Sequence, residues 1–155
     1  MHQPVVISAP FGCLGIETSG AALESIHFLP AGTPLSPPKP GSLAAEAAHQ
    51  LDAWLIDPRF EFTLPLHIKG SDFQRRVWLR IAGIPMGQTL TYGDMARELG
   101  SVARAVGGAC GRNPLPIIVP CHRVVAAAGL GGFNRSTGRQ TLSIKEWLLA
   151  HERRR

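Results

Sequence analysis

Residues 119–124 read VPCHRV, and they place a thiol, an imidazole and a guanidinium side by side at the end of an apolar run. Three chemistries fit Cys121, His122 and Arg123. A metal site would need further ligands. The sequence has no C-x-x-C or H-x-x-x-H, and the remaining histidines are scattered at positions 2, 27, 49, 67 and 151. That spacing speaks against structural zinc. An inert, buried cysteine is the ordinary state of an isolated one. A nucleophile must become a thiolate, and a free thiol with a pKa of about 8.5 needs a base or a cation to help it. His122 is the nearest base. Glu152, in the His151-Glu152 pair near the C-terminus, is a candidate to orient it, although spacing alone does not select it.

The charge divides along the chain. Up to Ile68 there are two basic residues against six acidic ones; from Lys69 onward there are fourteen against five, within an overall net charge of +5. A basic second half suggests a polyanionic partner, nucleic acid first among them, with solubility as the plain alternative. No run of about 18 apolar residues suggests a membrane span. The first residues, MHQPVVISAPFG, lack the basic-then-apolar order of a secretory signal. Three widely spaced cysteines (Cys13, Cys110, Cys121) do not make a disulfide framework, so a reducing, cytoplasmic setting is expected.

Elements that could hold these groups follow from the patterning. PVVIS, CLGIETS and LESIHFL are β-leaning and separated by turn signals, which predicts a small antiparallel sheet. A connector with five prolines in fourteen residues, LPAGTPLSPPKPGS, reads as a surface loop or linker across 30–41. A helix follows, capped by Ser42, with Ala47, Leu51, Trp54 and Leu55 on one face and Pro58 closing it. Beyond it the pattern turns helical. Ser71 and Gln74 form a capping box ahead of the stripe Phe73, Val77, Trp78 and Ile81. TYGDMARELG is capped by Thr91 and ends at Gly100, a position suited to a left-handed residue. SVARAVGGACGRN follows at once, with Ser101 expected as its cap. Two short helices joined at a glycine have the shape of a helix-turn-helix. The second is nearly bare: Ala103, Ala105, Gly107, Gly108 and Ala109 leave Arg104 as the one long side chain in its first turns. Such a helix can approach a DNA backbone or the minor groove but has little with which to read sequence; packing against another helix would explain it equally. The last helix, TLSIKEWLLAHERRR, puts Ile144, Trp147, Leu148 and His151 on one face, with arginines in its final turn.

The prediction is an α+β fold in two domains. Residues 1–68 form a small antiparallel sheet with a helix, and residues 69–155 a mostly helical unit with the helix-turn-helix and the active-site cysteine.

NPLPIIVPCHRVV, preceded by ARAVGGACGR and FQRRVWLRIAGIPMGQTLTYGDMARELG and followed by IKEWLLAHE, resembles the O6-alkylguanine-DNA alkyltransferases of bacterial type. These are the methylated-DNA–protein-cysteine methyltransferases. The resemblance is strong from about Ser71 to Glu152. It implies that Cys121 takes the alkyl group from O6 of guanine once and irreversibly, and it leaves open whether O4-alkylthymine is a second substrate. His122 would act as base through a water, held by Glu152, and Asn113 would bond within the turn before an active-site strand. Tyr92 and Gly93 would meet DNA, with Tyr92 also donating to the guanine ring, and Arg104 would fill the place of a flipped base. Tyr92, Cys110, Val124, Phe133 and Ser136 would line the alkylguanine pocket, and 126–141 would form its lid. Double-stranded DNA carrying O6-alkylguanine is the implied partner of a monomeric chain, with cooperation between copies along the DNA as a further option. No metal or cofactor is expected. The rival is a lesion-binding protein without chemistry, and the presence of Cys121 argues against it.

Overall fold

The computed structural model describes residues 4–133 and 139–153, with the backbone alone at 139 and 140. Two compact units divide the chain, Met1–Lys69 and Gly70–Arg155.

In the first unit, β1 (Val5–Ala9), β2 (Gly12–Ser19) and β3 (Ala22–Leu29) form an antiparallel sheet in the order β1-β2-β3. Both hairpins turn on two residues. Gly12 is required where the first re-enters the sheet: its φ is 141°, and a Cβ there would lie 2.7 Å from the Leu29 carbonyl oxygen. Helix α1 (Leu43–Ile56) starts at Ser42, whose hydroxyl accepts from the Ala45 amide, and packs on β2 and β3. Leu14, Ile16, Leu23 and Ile26 from the sheet and Ala47, Leu51 and Trp54 from the helix are buried. The proline-rich connector is exposed at most positions, but it is not a free linker. Ser36 exchanges two backbone hydrogen bonds with Val6 (3.0 and 3.1 Å), which covers the edge of β1 there.

The second unit carries α2 (Asp72–Ala82), α3 (Tyr92–Leu99), α4 (Ala103–Gly111) and α5 (Arg139–Arg153). Ser71 and Gln74 make the reciprocal capping box of α2. Val77, Trp78 and Ile81 face inward, and the Trp78 indole donates to the Ala109 carbonyl at 2.9 Å, which locks α2 to α4. Gly100 ends α3 in the left-handed region at φ 64°. The α4 cap differs from expectation: the N-cap is Val102, with no side-chain bond, rather than Ser101. The reason is local. The Ser101 amide still closes α3, donating to the Ala96 carbonyl at 2.8 Å, and it is the Val102 carbonyl that accepts from the Val106 amide at 3.2 Å to open α4.

A two-stranded parallel ladder completes this unit, β4 (Leu90–Thr91) against β5 (Val124–Val125). An α+β fold is therefore observed, with the sheet first and the helices after it. Among the described residues no helix is long and apolar enough to cross a membrane.

Candidate active site

Cys121 does not lie in a strand. Residues 121–123 form one 3-10 turn, and only Val124 and Val125 are extended after it. The sequence explains this correction. Pro114, Pro116 and Pro120 remove backbone donors, so the approach to the cysteine cannot join a ladder. Ile117 adopts φ 76°, a costly conformation for a β-branched residue, inside the same buried turn.

Asn113 organises that turn. Its carbonyl oxygen accepts from the Leu115 amide at 2.9 Å, and its amide nitrogen donates to the Val119 carbonyl at 2.8 Å and to Cys121 Sγ at 3.1 Å. The residue is 7% exposed, so all three bonds are made away from water. A donor aimed at sulfur favours the thiolate.

The parallel ladder brings a second element to the sulfur. Pairing Thr91 with Val125 sets the start of α3 beside the segment that follows the cysteine. Thr91 caps α3, and the next residue, Tyr92, is half-buried. The Tyr92 hydroxyl donates to the Gly132 carbonyl at 3.2 Å. Burial, with Cys110 and Cys121 nearby, pushes its phenol well above the ordinary value, so it stays a proton donor. Gly131 passes so close that a Cβ there would sit 2.8 Å from the Tyr92 ring, and its φ is 72°.

Helix α5 supplies the floor. Lys145 and Glu152 are seven residues apart, two turns on one buried face. Glu152 Oε1 lies 2.9 Å from His122 Nε2. Arg123 grips the same carboxylate: Nε is 3.0 and 3.1 Å from its two oxygens, Nη2 pairs with Oε2, and Nη1 donates to the Ile84 carbonyl at 2.6 Å. Burial opposes charge on Glu152, but the hydrogen bonds and charges of His122 and Arg123 outweigh it and hold the carboxyl at about 2. Burial pushes His122 down, against the pull of Glu152, which keeps the imidazole neutral. With Nε2–H directed to Glu152, Nδ1 is the acceptor nitrogen. Burial, aided by the hydrogen bond that the protonated thiol makes to Cys110, raises Cys121 well above its usual range; Asn113 and the charge of Lys145 act the other way. At rest the sulfur is protonated, and a neutral base lies next to it in the chain.

Cys121, His122, Asn113, Glu152, Tyr92, Cys110 and Val124 therefore come together in the second unit. Phe133 is buried at 5% exposure. Ser136, and 134–138 of the lid, lie outside the described residues. Gly93 and Arg104 are not part of this cluster. Gly93 is in the first turn of α3, and Arg104 is exposed in the first turn of α4. On α4 a Cβ at Gly107 or Gly108 would meet nothing within 4 Å, so the outer face of that helix is as bare as its sequence. Among the described residues no three His, Cys, Asp or Glu side chains group closely enough for a metal ion.

One role and one residue were not visible beforehand. Arg123 shares Glu152 with His122, and Lys145 is fully buried against the Val124, Leu130 and Gly132 carbonyls. A signal for Lys145 existed: positions 145, 148 and 152 fall on one helical face, but a lysine is not ordinarily counted as core.

Residues 72–154 match the family model described as the DNA-binding domain of 6-O-methylguanine DNA methyltransferase. The chain belongs to the O6-methylguanine-DNA methyltransferase family. Members of that family from distant organisms align with most of it. The methylated-DNA–protein-cysteine methyltransferase of Mycobacterium tuberculosis H37Rv is 40% identical over 141 residues, covering 83% of this chain and 84% of that protein. The protein of the same description from Methanosarcina acetivorans is 35% identical over 154 residues, covering 95% and 96%. The fold agrees as well. The crystal structure of M. tuberculosis O6-methylguanine methyltransferase superposes with a TM-score of 0.79 at 37% identity, covering 96% of this chain and 91% of that one. The same mycobacterial protein in complex with DNA gives 0.78. Cys121, His122 and Glu152 all lie within the residues that match this family model.

Proposed function

We infer that this chain repairs alkylated DNA directly, moving the alkyl group from O6 of guanine to Cys121 Sγ in a single turnover. The observation that carries the reading is a buried thiol held by the Asn113 donor at 3.1 Å and followed immediately by a neutral histidine backed by Glu152. In this scheme His122 Nδ1 takes the thiol proton, through a water, as the substrate enters. The thiolate attacks the alkyl carbon in line with O6, the S–C bond forms and the C–O bond breaks. The departing guanine carries the electron pair, and the Tyr92 phenol turns from Gly132 to donate to its ring. Val124, Cys110 and Phe133 line the pocket. A thioether has no easy leaving group, so the protein reacts once.

A base inside a duplex cannot reach a buried sulfur, so the nucleotide must leave the stack. Arg104 on the bare face of α4 takes its place there, Tyr92 and Gly93 lie along the DNA, and O4-alkylthymine enters by the same route. Residues 69–155 carry both tasks, with 1–68 as a separate N-terminal domain, in a reducing cytoplasm.

The test is intact-protein mass spectrometry after mixing with duplex DNA that holds one O6-methylguanine, followed by peptide mapping. One added methyl on Cys121 per lesion supplied is expected, with none for Cys121→Ala and DNA binding retained. Lesion binding without added mass would make the chain a recognition protein.

A further inference from the structure

Cys13, Cys110 and Cys121 are free thiols, and each is buried. Cys13 belongs to β2 in the first unit, but the other two meet in the second. Cys110 lies in the last turn of α4, and the protonated Cys121 thiol hydrogen-bonds to it. Asn113 holds both cysteines: its backbone amide donates to the Cys110 carbonyl at 3.2 Å, and its side-chain amide donates to Cys121 Sγ at 3.1 Å. The Trp78 indole fixes the preceding carbonyl, that of Ala109, at 2.9 Å. Two thiols are thus fastened against each other on two held segments, 9% and 4% exposed. Tyr92 and Lys145 face both of them. The alkyl-transfer scheme uses Cys110 only as a wall of the pocket, which any small apolar side chain could be.

We propose that Cys110 is a resolving thiol: oxidation by hydrogen peroxide joins Cys110 Sγ to Cys121 Sγ in a reversible disulfide that shelters the unused acceptor. In the first step His122 takes the Cys121 proton and the sulfur attacks one peroxide oxygen. The S–O bond forms, the O–O bond breaks, and the second oxygen leaves as water with that proton, so Cys121 becomes a sulfenic acid. In the second step Cys110 Sγ attacks the Cys121 sulfur. The S–S bond forms, the S–O bond breaks, and the hydroxide leaves as water with the Cys110 proton. Each sulfur gives up one electron and the peroxide takes two. A disulfide needs sulfurs about 2.05 Å apart, which the pair reaches from hydrogen-bond contact by side-chain rotation and a small approach of the two segments. A pocket that admits an alkylated base also admits a peroxide. The benefit follows from single turnover. A sulfenic acid left alone goes on to sulfinic acid, a permanent loss of the acceptor, whereas a dithiol reductant reopens a disulfide. That benefit, though not the disulfide itself, rests on the reading of Cys121 as the acceptor.

The test treats the unaltered full chain with hydrogen peroxide, blocks remaining thiols with iodoacetamide and digests it without reductant. Trypsin cuts after Arg104, Arg112 and Arg123, so the disulfide is read as peptide 105–112 linked to peptide 113–123. That linked pair is expected, with methyl transfer from O6-methylguanine duplex lost in parallel and both changes reversed by dithiothreitol. Prior methylation of Cys121 by lesion DNA should prevent the link. In Cys110→Ser, measured against its own untreated rate, the same treatment should carry Cys121 to sulfinic acid, and dithiothreitol should restore less than half of the transfer. Sulfinic acid at Cys121 of the unaltered chain with Cys110 still free, or a link to Cys13 instead, would overturn the proposal. So would full recovery in Cys110→Ser; if that variant does not fold, the peptide map of the unaltered chain decides alone. Failure of the acceptor reading looks different: the untreated chain would then transfer no methyl group, while the linked peptides would still form.

Discussion

At the residue scale the site works by withholding water. Asn113 shows how much one buried side chain can carry, since it joins Leu115, Val119 and Cys121 through three bonds. Asn113→Ala takes the partner from the buried Leu115 amide and leaves the Val119 carbonyl with the Cys121 amide alone, so it should cost about 2 kcal/mol of stability. It should also slow transfer at least about tenfold by removing the donor to sulfur. Denaturant melts and single-turnover rates measure the two effects separately. Gly131 is constrained from both directions, by φ 72° and by a Tyr92 ring only 2.8 Å from any Cβ. Gly131→Ala should therefore displace the ring, lowering the transfer rate and costing about 1–3 kcal/mol in backbone strain. An unchanged rate would show that the phenol need not sit where it does.

Among elements, the short ones decide most. A two-residue ladder, β4 against β5, sets Tyr92 beside the cysteine turn, and a single glycine, Gly100, sets α4 against α3. Helix α4 begins without a side-chain cap because Val102, 64% exposed, occupies the position. Val102→Ser should supply the missing acceptor and stabilise the protein by about 1 kcal/mol, read as a higher melting temperature. A neutral or negative change would mean that the helix start is held by other contacts. The sequence made most helices and strands legible, because hydrophobic period and capping residues act within a few positions. It misplaced the start of α4, where Ser101 was needed to finish the preceding helix. It also suggested a strand at Cys121, where three prolines and the Ile117 conformation impose a turn.

For the molecule as a whole, buried charge makes stability depend on pH. His122 has a folded pKa below its ordinary 6.5, so the unfolded chain takes up that proton first and stability falls as pH drops below about that value. Glu152 is held at about 2 against an ordinary 4.5, so its contribution is complete above 4.5 and disappears as pH falls from there toward 2. Unfolding midpoints in urea should decrease from pH 7 to pH 5, and again more steeply below pH 4.5. A flat profile over that range would contradict the burial of this pair. The amino-acid sequence by itself determined the α+β class, the acidic first part and basic second part, the nucleophile candidate and the family to which VPCHRV points, because motif, composition and periodicity are local properties of a chain. Only the tertiary structure decided that Glu152 serves both His122 and Arg123, that Tyr92 meets Gly131 and Gly132, and that, among the described residues, the largest fully buried side chain is a lysine. Those facts depend on α5 returning to residues about twenty to thirty positions earlier and on Gly131 and Gly132 returning to Tyr92, forty positions before Gly132, and no spacing rule along one dimension can specify which face such a return will bury.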